Sequence, residues 1–382
     1  MAYSDSDRHD KKWHRVCDSL HELPPLPTLP SDVILEIICR LPVKFILRFQ
    51  CVCKSWNSLI SDPKFVKKQL CVSTTRNLHF LNYAYDSRKY ILTSYPLDSD
   101  FTDINSNFTQ SDWPYAKFYR FIGSCNGIVC IADNEYTSLV ICWNPSTRKF
   151  KELPLFEKPM TGVNVMTFGF GYDSSKDNYK VVVVLEYLVL DEDDSFFNKT
   201  QVKVHTLGTN IWRTIQDYHF GGLIVPMKGE FVSGTINWLF SKEQFWEYPC
   251  FIVSFDLAKE SYQKISPPNL GGVDVCDLSA LGVLRDCLCV TTSGYDVWLM
   301  KEYGNKESWT KLFTISYKRH PSKFKAFAKA IYVFEDDQVL LELYDSDLNL
   351  VLYNPRSGTL KATNFKLIPE VCIESLISPS SL

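Results

Sequence analysis

No stretch of 18 consecutive apolar residues occurs in the 382-residue chain. The best candidate, Val181–Leu190, is ten residues long and is interrupted by Glu186, so no membrane-spanning helix is expected. An apolar leader is missing too. Residues 1–28 mix Asp, Lys, Arg and His and end in the Pro-rich LPPLPTLP, so residues 1–25 read as a disordered leader rather than a secretory signal. Neither charge sign dominates: the net charge is −3, without the concentrated basic face that a nucleic-acid ligand wants. Alanine is sparse, whereas Tyr and Phe number 20 and 25. That balance favours a sheet-rich body, because aromatic side chains pack well on pleated surfaces.

Catalytic and metal signatures are also lacking. The histidines, at 9, 14, 21, 79, 205, 219 and 320, form no HExxH or other close ligand pair. Cys51-x-Cys53, read as helical, and Cys287-x-Cys289, read as strand, lack the two-residue gap of zinc knuckles and have no second pair at the right distance. Core thiols explain them better. Gly169-x-Gly171 has no third glycine and no following helix, and there is no GxSxG and no P-loop. Asp336-Asp337 falls in a turn, where carboxylates serve local hydrogen bonding. No catalytic activity, metal or cofactor is expected. Thirteen cysteines without a secretory leader point to reduced thiols in the cytoplasm or nucleus.

The most informative segment is 26–70. Ser31 or Asp32 is placed to cap a helix after Leu29-Pro30. Val33, Ile34, Ile37, Ile38 and Leu41 then recur at helical spacing until Pro42 stops the run. Phe45-Ile46-Leu47 follows, and Phe49, Val52, Cys53, Trp56 and Ile60 trace a third helical stripe ending at Asp62-Pro63. Three short helices in about 45 residues hold more apolar side chains than so small a bundle can bury. The segment therefore reads as a helical hook that completes its core on another protein.

The order Leu-Pro, an Ile/Leu-rich helix, Leu41-Pro42-Val43-Lys44, Arg48-Phe49 and Val52-Cys53-Lys54-Ser55-Trp56 resembles an F-box. It is similar in particular to the F-boxes of the plant F-box/kelch-repeat (F-box-associated) family. The resemblance implies docking onto a SKP1-like adaptor and, indirectly, onto a cullin-1 ubiquitin ligase. Matched to the family's apolar and proline positions, the implied adaptor contacts are Leu29, Pro30, Ile34, Leu41, Pro42, Val43, Leu47, Val52 and Trp56. The local excess of Arg40, Lys44, Arg48, Lys54, Lys64, Lys67 and Lys68 over Asp32, Glu36 and Asp62 suits an acidic protein partner.

Beyond residue 70 the apolar period turns to alternation. A unit of strand, polar turn and strand recurs as LVICWNPSTRKFKELP, KVHTLGTNIWRTI, IVSFDLAKESYQKI, WLMKEYGNKESWTKLF and LVLYNPRSGTLKA. With Asn144, Gly208, Leu257, Gly304 and Asn354 as turn centres, the steps are 64, 49, 47 and 50 residues. HFLNYAYDSRKYIL reads as a first member, and the 64-residue step implies an insertion. Strands such as SCNGIVCIAD, FVSGTINWLF and GVLRDCLCVTT precede several units, with Gly127 and Gly234 at matching places. Four-stranded units of about 50 residues that must close on one another mark a propeller. The expected architecture is a small all-α F-box (26–70) followed by an all-β propeller of kelch type (71–382). About six blades are expected, with seven the alternative. Val371–Ile377, lying past the final hairpin, is expected to close the ring beside the first unit, around His79–Tyr95.

Residues 93–117 and 187–200 read as irregular connections. Within the second, Asp191, Glu192, Asp193 and Asp194 followed by Phe196 and Phe197 form a candidate contact for a basic target, unless the Phe side chains fold back onto the propeller. The function implied is a substrate receptor of a SKP1–cullin–F-box ubiquitin ligase, holding an unnamed target protein. The alternative is an adaptor-bound scaffold with no role in ubiquitin transfer.

Overall fold

The computed structural model describes residues 30–84, 89–97, 108–113, 119–133, 138–159, 163, 165–190, 196–215, 223–225, 228–241, 250–270, 278–316, 327–344, 348–363, 365 and 367–382. Four helices open it: α1 (Ser31–Ile38), α2 (Val43–Gln50), α3 (Lys54–Ser61) and α4 (Pro63–Val72). Prolines start three of them. Pro30 and Pro42, in extended backbone, precede α1 and α2 and offer their carbonyls to the first helical N–H groups. No side chain caps α1, and Ser31 lies inside it, contrary to the capping role read from the sequence. The stripe from Phe49 to Ile60 is two helices rather than one. It breaks at Cys51-Val52-Cys53, where Cys53 is fully extended, so Cys51 and Cys53 flank a turn.

Pro63 opens a helix where the sequence reading ended one. Its missing N–H and fixed φ suit the first helical position, and Asp62 Oδ1 accepts from Lys64 N at 2.7 Å. A boundary at 70/71 therefore falls inside α4. Ile38, Cys39, Val43, Ile46, Ile60 and Phe65 form the helical core, together with Leu376 from the far end of the chain.

Among the described residues 25 strands make six sheets, and the blade number is six. Blade 1 holds β1 (Arg76–Ala84), β2 (Lys89–Pro96) and β3 (Thr109–Trp113). Blade 2 holds β4 (Tyr119–Cys125), β5 (Ile128–Asp133), β6 (Val140–Asn144) and β7 (Lys149–Glu152). Blade 3 holds β8 (Val165–Asp173), β9 (Asn178–Leu190), β10 (Phe196–Thr206) and β11 (Trp212–Ile215). In blade 4, β12 (Leu223–Ile224) and β13 (Glu230–Val232) both pair with β14 (Thr235–Ser241), followed by β15 (Cys250–Asp256) and β16 (Ser261–Ile265). Blade 5 holds β17 (Leu278–Leu284), β18 (Cys287–Thr292), β19 (Asp296–Met300) and β20 (Trp309–Thr314). Blade 6 holds β21 (Phe327–Val333), β22 (Val339–Tyr344), β23 (Leu348–Asn354) and β24 (Thr359–Ala362).

The ring closes as expected. Strand β25 (Glu370–Ile373) supplies the inner strand of blade 1, with Arg76 opposite Ile373 and His79 opposite Glu370. Pairing the last strand with the first removes an open edge. Each blade buries both faces on its neighbours. In β9, Val181, Val183 and Leu185 pack against blade 2 while Val182 and Val184 pack against blade 4, which is the period-two geometry of a strand covered on both sides.

The five turn centres all join third to fourth strands. In Asn144, Asp256 and Asn354 a side-chain oxygen accepts two successive backbone N–H groups of the turn, which is why the NPSTR, DLAKE and NPRSG signals recur. The hairpin of β1 and β2 instead joins second to third strands, so HFLNYAYDSRKYIL is one strand out of phase with the other units. At the first-to-second turns, Asn126-Gly127, Ser233-Gly234 and Arg285-Asp286 all take left-handed pairs, φ between 50° and 82°. The third pair manages without glycine, which explains the irregular glycine spacing. The 64-residue step reflects the long hairpin of blade 3, whose strands run 13 and 11 residues.

The helices sit on the face that carries these two kinds of turn. Lys67 of α4 pairs with Asp177 in the β8–β9 turn. Val43 N donates to Glu374 at 3.3 Å, and Val66 and Leu70 pack on the core shared by blades 2 and 3. The far ends of the second and third strands, such as Leu190 and Phe196, lie on the opposite face.

Candidate protein-binding surfaces

Nine positions were expected to meet an adaptor. Leu29 lies outside the described residues. Pro30, Pro42 and Val52 are exposed, Val52 at 65 %. Ile34, Leu41, Leu47 and Trp56 are half-buried against the helical core, with Trp56 tilted on Phe49 at 5.0 Å between ring centroids. Val43 is a correction. Only 1 % exposed, it faces the core while its N–H is held by Glu374, so it is unavailable to a partner.

Sequence matching missed Val33, Ile37 and Phe45, which are 42 %, 51 % and 46 % exposed. Val33 and Ile37 stand one turn apart on α1 and so share a face, while Ile38 alone of that helix's stripe is fully buried. Arg48 lies over the Phe45 ring at 5.6 Å. The signal available in the sequence was the width of the apolar stripe, broader than one buried face needs. Glu36 is engaged by Lys68 of α4. The hydrogen bond and charge of that lysine hold the Glu36 carboxyl below its ordinary range, so the basic side chains Arg40, Lys44, Arg48 and Lys54 dominate the exposed charge of α1, α2 and the start of α3.

On the opposite face, β9 and β10 outrun their blade. Burial is continuous from Tyr179 to Glu186, beyond which Leu188 and Leu190 are 37 % and 52 % exposed. The segment read as irregular is thus mostly paired strand. Phe196 stands opposite Leu190 and Phe197 opposite Val189, and Phe197 is 45 % exposed, so it does not fold back onto the propeller. Asp191, Glu192, Asp193 and Asp194 lie outside the described residues.

Inside the ring is a cavity of about 660 Å³. Leu70 and Cys71 of α4 line its helix-side end, and Lys228, Glu230, Lys329, Glu342 and Glu370 form a charged belt within it. Lys228 pairs with Glu370, and Lys329 with Glu230 at 2.5 Å. Burial alone raises the Glu230 carboxyl, but Lys329 and Lys228 outweigh it and hold the group below its ordinary range. At Glu342 burial wins over the same two lysines and pushes the carboxyl up. Among the described residues no group of three or more His, Cys, Asp or Glu side chains is disposed to hold a metal ion.

The sequence model of the F-box domain matches residues 26–68, and that of the F-box associated beta propeller domain matches residues 83–366. This chain belongs to the F-box associated β-propeller family. Among its relatives is an F-box/kelch-repeat protein of Arabidopsis thaliana, 28 % identical over 373 residues, covering 93 % of this chain and 96 % of that one. F-box protein CPR1 of Arabidopsis thaliana is 29 % identical over 382 residues, with 92 % and 89 % covered. Both matched lengths take in the helices and the ring together, so this F-box propeller protein shares its two-part plan with plant relatives. Such F-box proteins are typically non-catalytic adaptors.

Proposed function

We propose that this protein is the substrate-recognition subunit of a SKP1–cullin–F-box ubiquitin ligase, working in the cytoplasm or nucleus. The observation that carries the reading is the exposed apolar set of Val33, Ile37 and Phe45 on the helices and Val52 in the turn between two of them. Their bundle is already joined to the propeller through Leu376 and Glu374, and among the described residues these side chains stay exposed. A SKP1-like adaptor covers them, and cullin-1 is reached through it. The propeller's far face, with Leu188, Leu190 and Phe197 exposed on the blade 3 hairpin, offers apolar contacts to a target protein, and the acidic run Asp191–Asp194 of the sequence suits a basic one. Catalysis by proximity then needs no bond-making residue here: holding the target raises the effective concentration of its lysines at the ubiquitin-charged enzyme.

The test uses Ile37→Asp and Val52→Asp. Both side chains are mostly exposed, so the fold tolerates the change. Burying such a side chain at an interface is worth about 1.5–3 kcal/mol, so each substitution is expected to weaken binding to a SKP1-like protein by about tenfold to a hundredfold. Calorimetric affinities equal to wild type would sink the F-box reading. Adaptor binding without target-dependent ubiquitin transfer in a reconstituted ligase would leave only the scaffold.

A further inference from the structure

The propeller's charged belt is out of balance. Three carboxylates, Glu230, Glu342 and Glu370, share it with two lysines, Lys228 and Lys329. Each lysine is committed to another carboxylate. Lys329 stands directly across the β21–β22 pairing from Glu342, yet its ammonium reaches to Glu230 in blade 4. Lys228 takes Glu370. Glu342 is 8 % exposed, lines the cavity, and makes no hydrogen bond or ion pair among the described residues. A buried carboxylate left unpaired is destabilising, and a space of about 660 Å³ beside it leaves room for a ligand group.

We propose that the central cavity is a binding site for a primary ammonium or guanidinium group, received by Glu342. Such a group supplies the donors and the single positive charge that the belt lacks. An anion fits poorly, since both belt lysines are neutralised and Glu342 would repel it. A divalent cation fits poorly as well, because the other two carboxylates are held by lysines. At the helix-side end the arginines are occupied: Arg76 faces Asp286 at 3.9 Å and Arg285 faces Asp337 at 3.3 Å. The same chemistry comes from two sources, a free small polyamine or a lysine or arginine side chain of a bound protein. The site stands without the ligase reading.

The experiment is calorimetric titration of the full chain at neutral pH with spermidine, Nα-acetyl-lysine amide and Nα-acetyl-arginine amide, with inorganic phosphate as the opposite-charge control. Saturable one-to-one binding of at least one cationic probe is expected, weakened about tenfold or more by Glu342→Gln. That variant loses an unpaired buried charge, so it should melt at or above the wild-type temperature. Should it fail to fold, Glu342→Asp keeps the charge and is expected to bind the same probe, more weakly. Tighter binding of an amino-acid amide assigns the site to a protein side chain; tighter binding of spermidine assigns it to a free polyamine. No saturation by any cation up to about 10 mM, preferential binding of phosphate, or undiminished binding by the glutamine variant overturns the proposal. A sharply lowered melting point with unchanged binding would instead mark Glu342 as structural.

Discussion

A chain ending at Pro369 is expected to be insoluble, or to melt on the order of 10 °C below the full protein. Six of the thirteen missing residues are buried: Glu370, Cys372, Ser375, Leu376, Ile377 and Pro379. Losing β25 strips β1 of one of its two partners and reopens the ring. Leu376 leaves the helical core and Ile377 leaves the core between blades 2 and 3. Asn144 loses the carbonyls of Ser375 and Ile377, at 3.0 and 2.7 Å, to which its amide donates. Glu374 no longer joins Val43 N to Asn77 Nδ2, and Lys228 is left in the cavity without Glu370. The apolar losses alone come to roughly 5 kcal/mol, comparable with the whole stability of many domains. Differential scanning fluorimetry beside the intact chain decides it, and a soluble truncated protein melting at the wild-type temperature would refute ring closure by β25.

Acidification from pH 7 to pH 5 is expected to remove about 4 kcal/mol of stability through His79 and His205. Burial depresses His79 to about 3 and His205 to about 4. His79 Nδ1 lies 2.7 Å from Ser94 Oγ, and His205 Nε2 donates to the Thr209 carbonyl at 3.1 Å. Both rings are neutral in the fold, whereas the unfolded chain takes up their protons below about pH 6.5. The unfolded state therefore binds more protons as pH falls, so stability is full above that value and declines towards the folded pKa values. Each histidine loses at most about 1.4 kcal/mol per pH unit, or about 2 kcal/mol at pH 5. Glu230 and Asp173, held below their ordinary ranges, lose their contribution only at lower pH. Glu342, raised by burial, works in the opposite direction. Urea unfolding at the two pH values measures the total, and His79→Gln should remove about half of the difference. Equal stability at pH 7 and pH 5 would contradict neutral burial of both rings.

Local signals in this chain were legible because backbone chemistry writes them. The turn oxygen of Asn144 or Asn354 acts within three residues, so its motif repeats with the blade. The ring closure at Val371 was legible because a strand past the last hairpin has nowhere else to pair. What sequence reading lost depends on distant partners. Val43 matched an apolar family position, but it is buried in the helical core, and its N–H is held by Glu374, 331 residues away. The fourth helix was hidden by reading Pro63 as a stop, although Asp62 before it supplies the capping oxygen of a start. The cavity belt left no trace at all. Lys228 and Glu370 are separated by 142 residues, the first just before β13 and the second opening β25.

The contact of Leu376 with the helical core also sets an order of assembly during synthesis. The helices are the first described part to leave the ribosome, yet Glu374 follows Val43 by 331 residues. At roughly 5–20 residues per second, the helices wait for tens of seconds before Leu376 can join them. Blade 1 waits equally long for its inner strand, so blades 2 to 6 can stack while the seam between the sixth and first blades stays unzipped. A ribosome stalled short of residue 370 would hold five stacked sheets beside an incomplete first blade and an unfinished helical bundle, both offering apolar surface to chaperones.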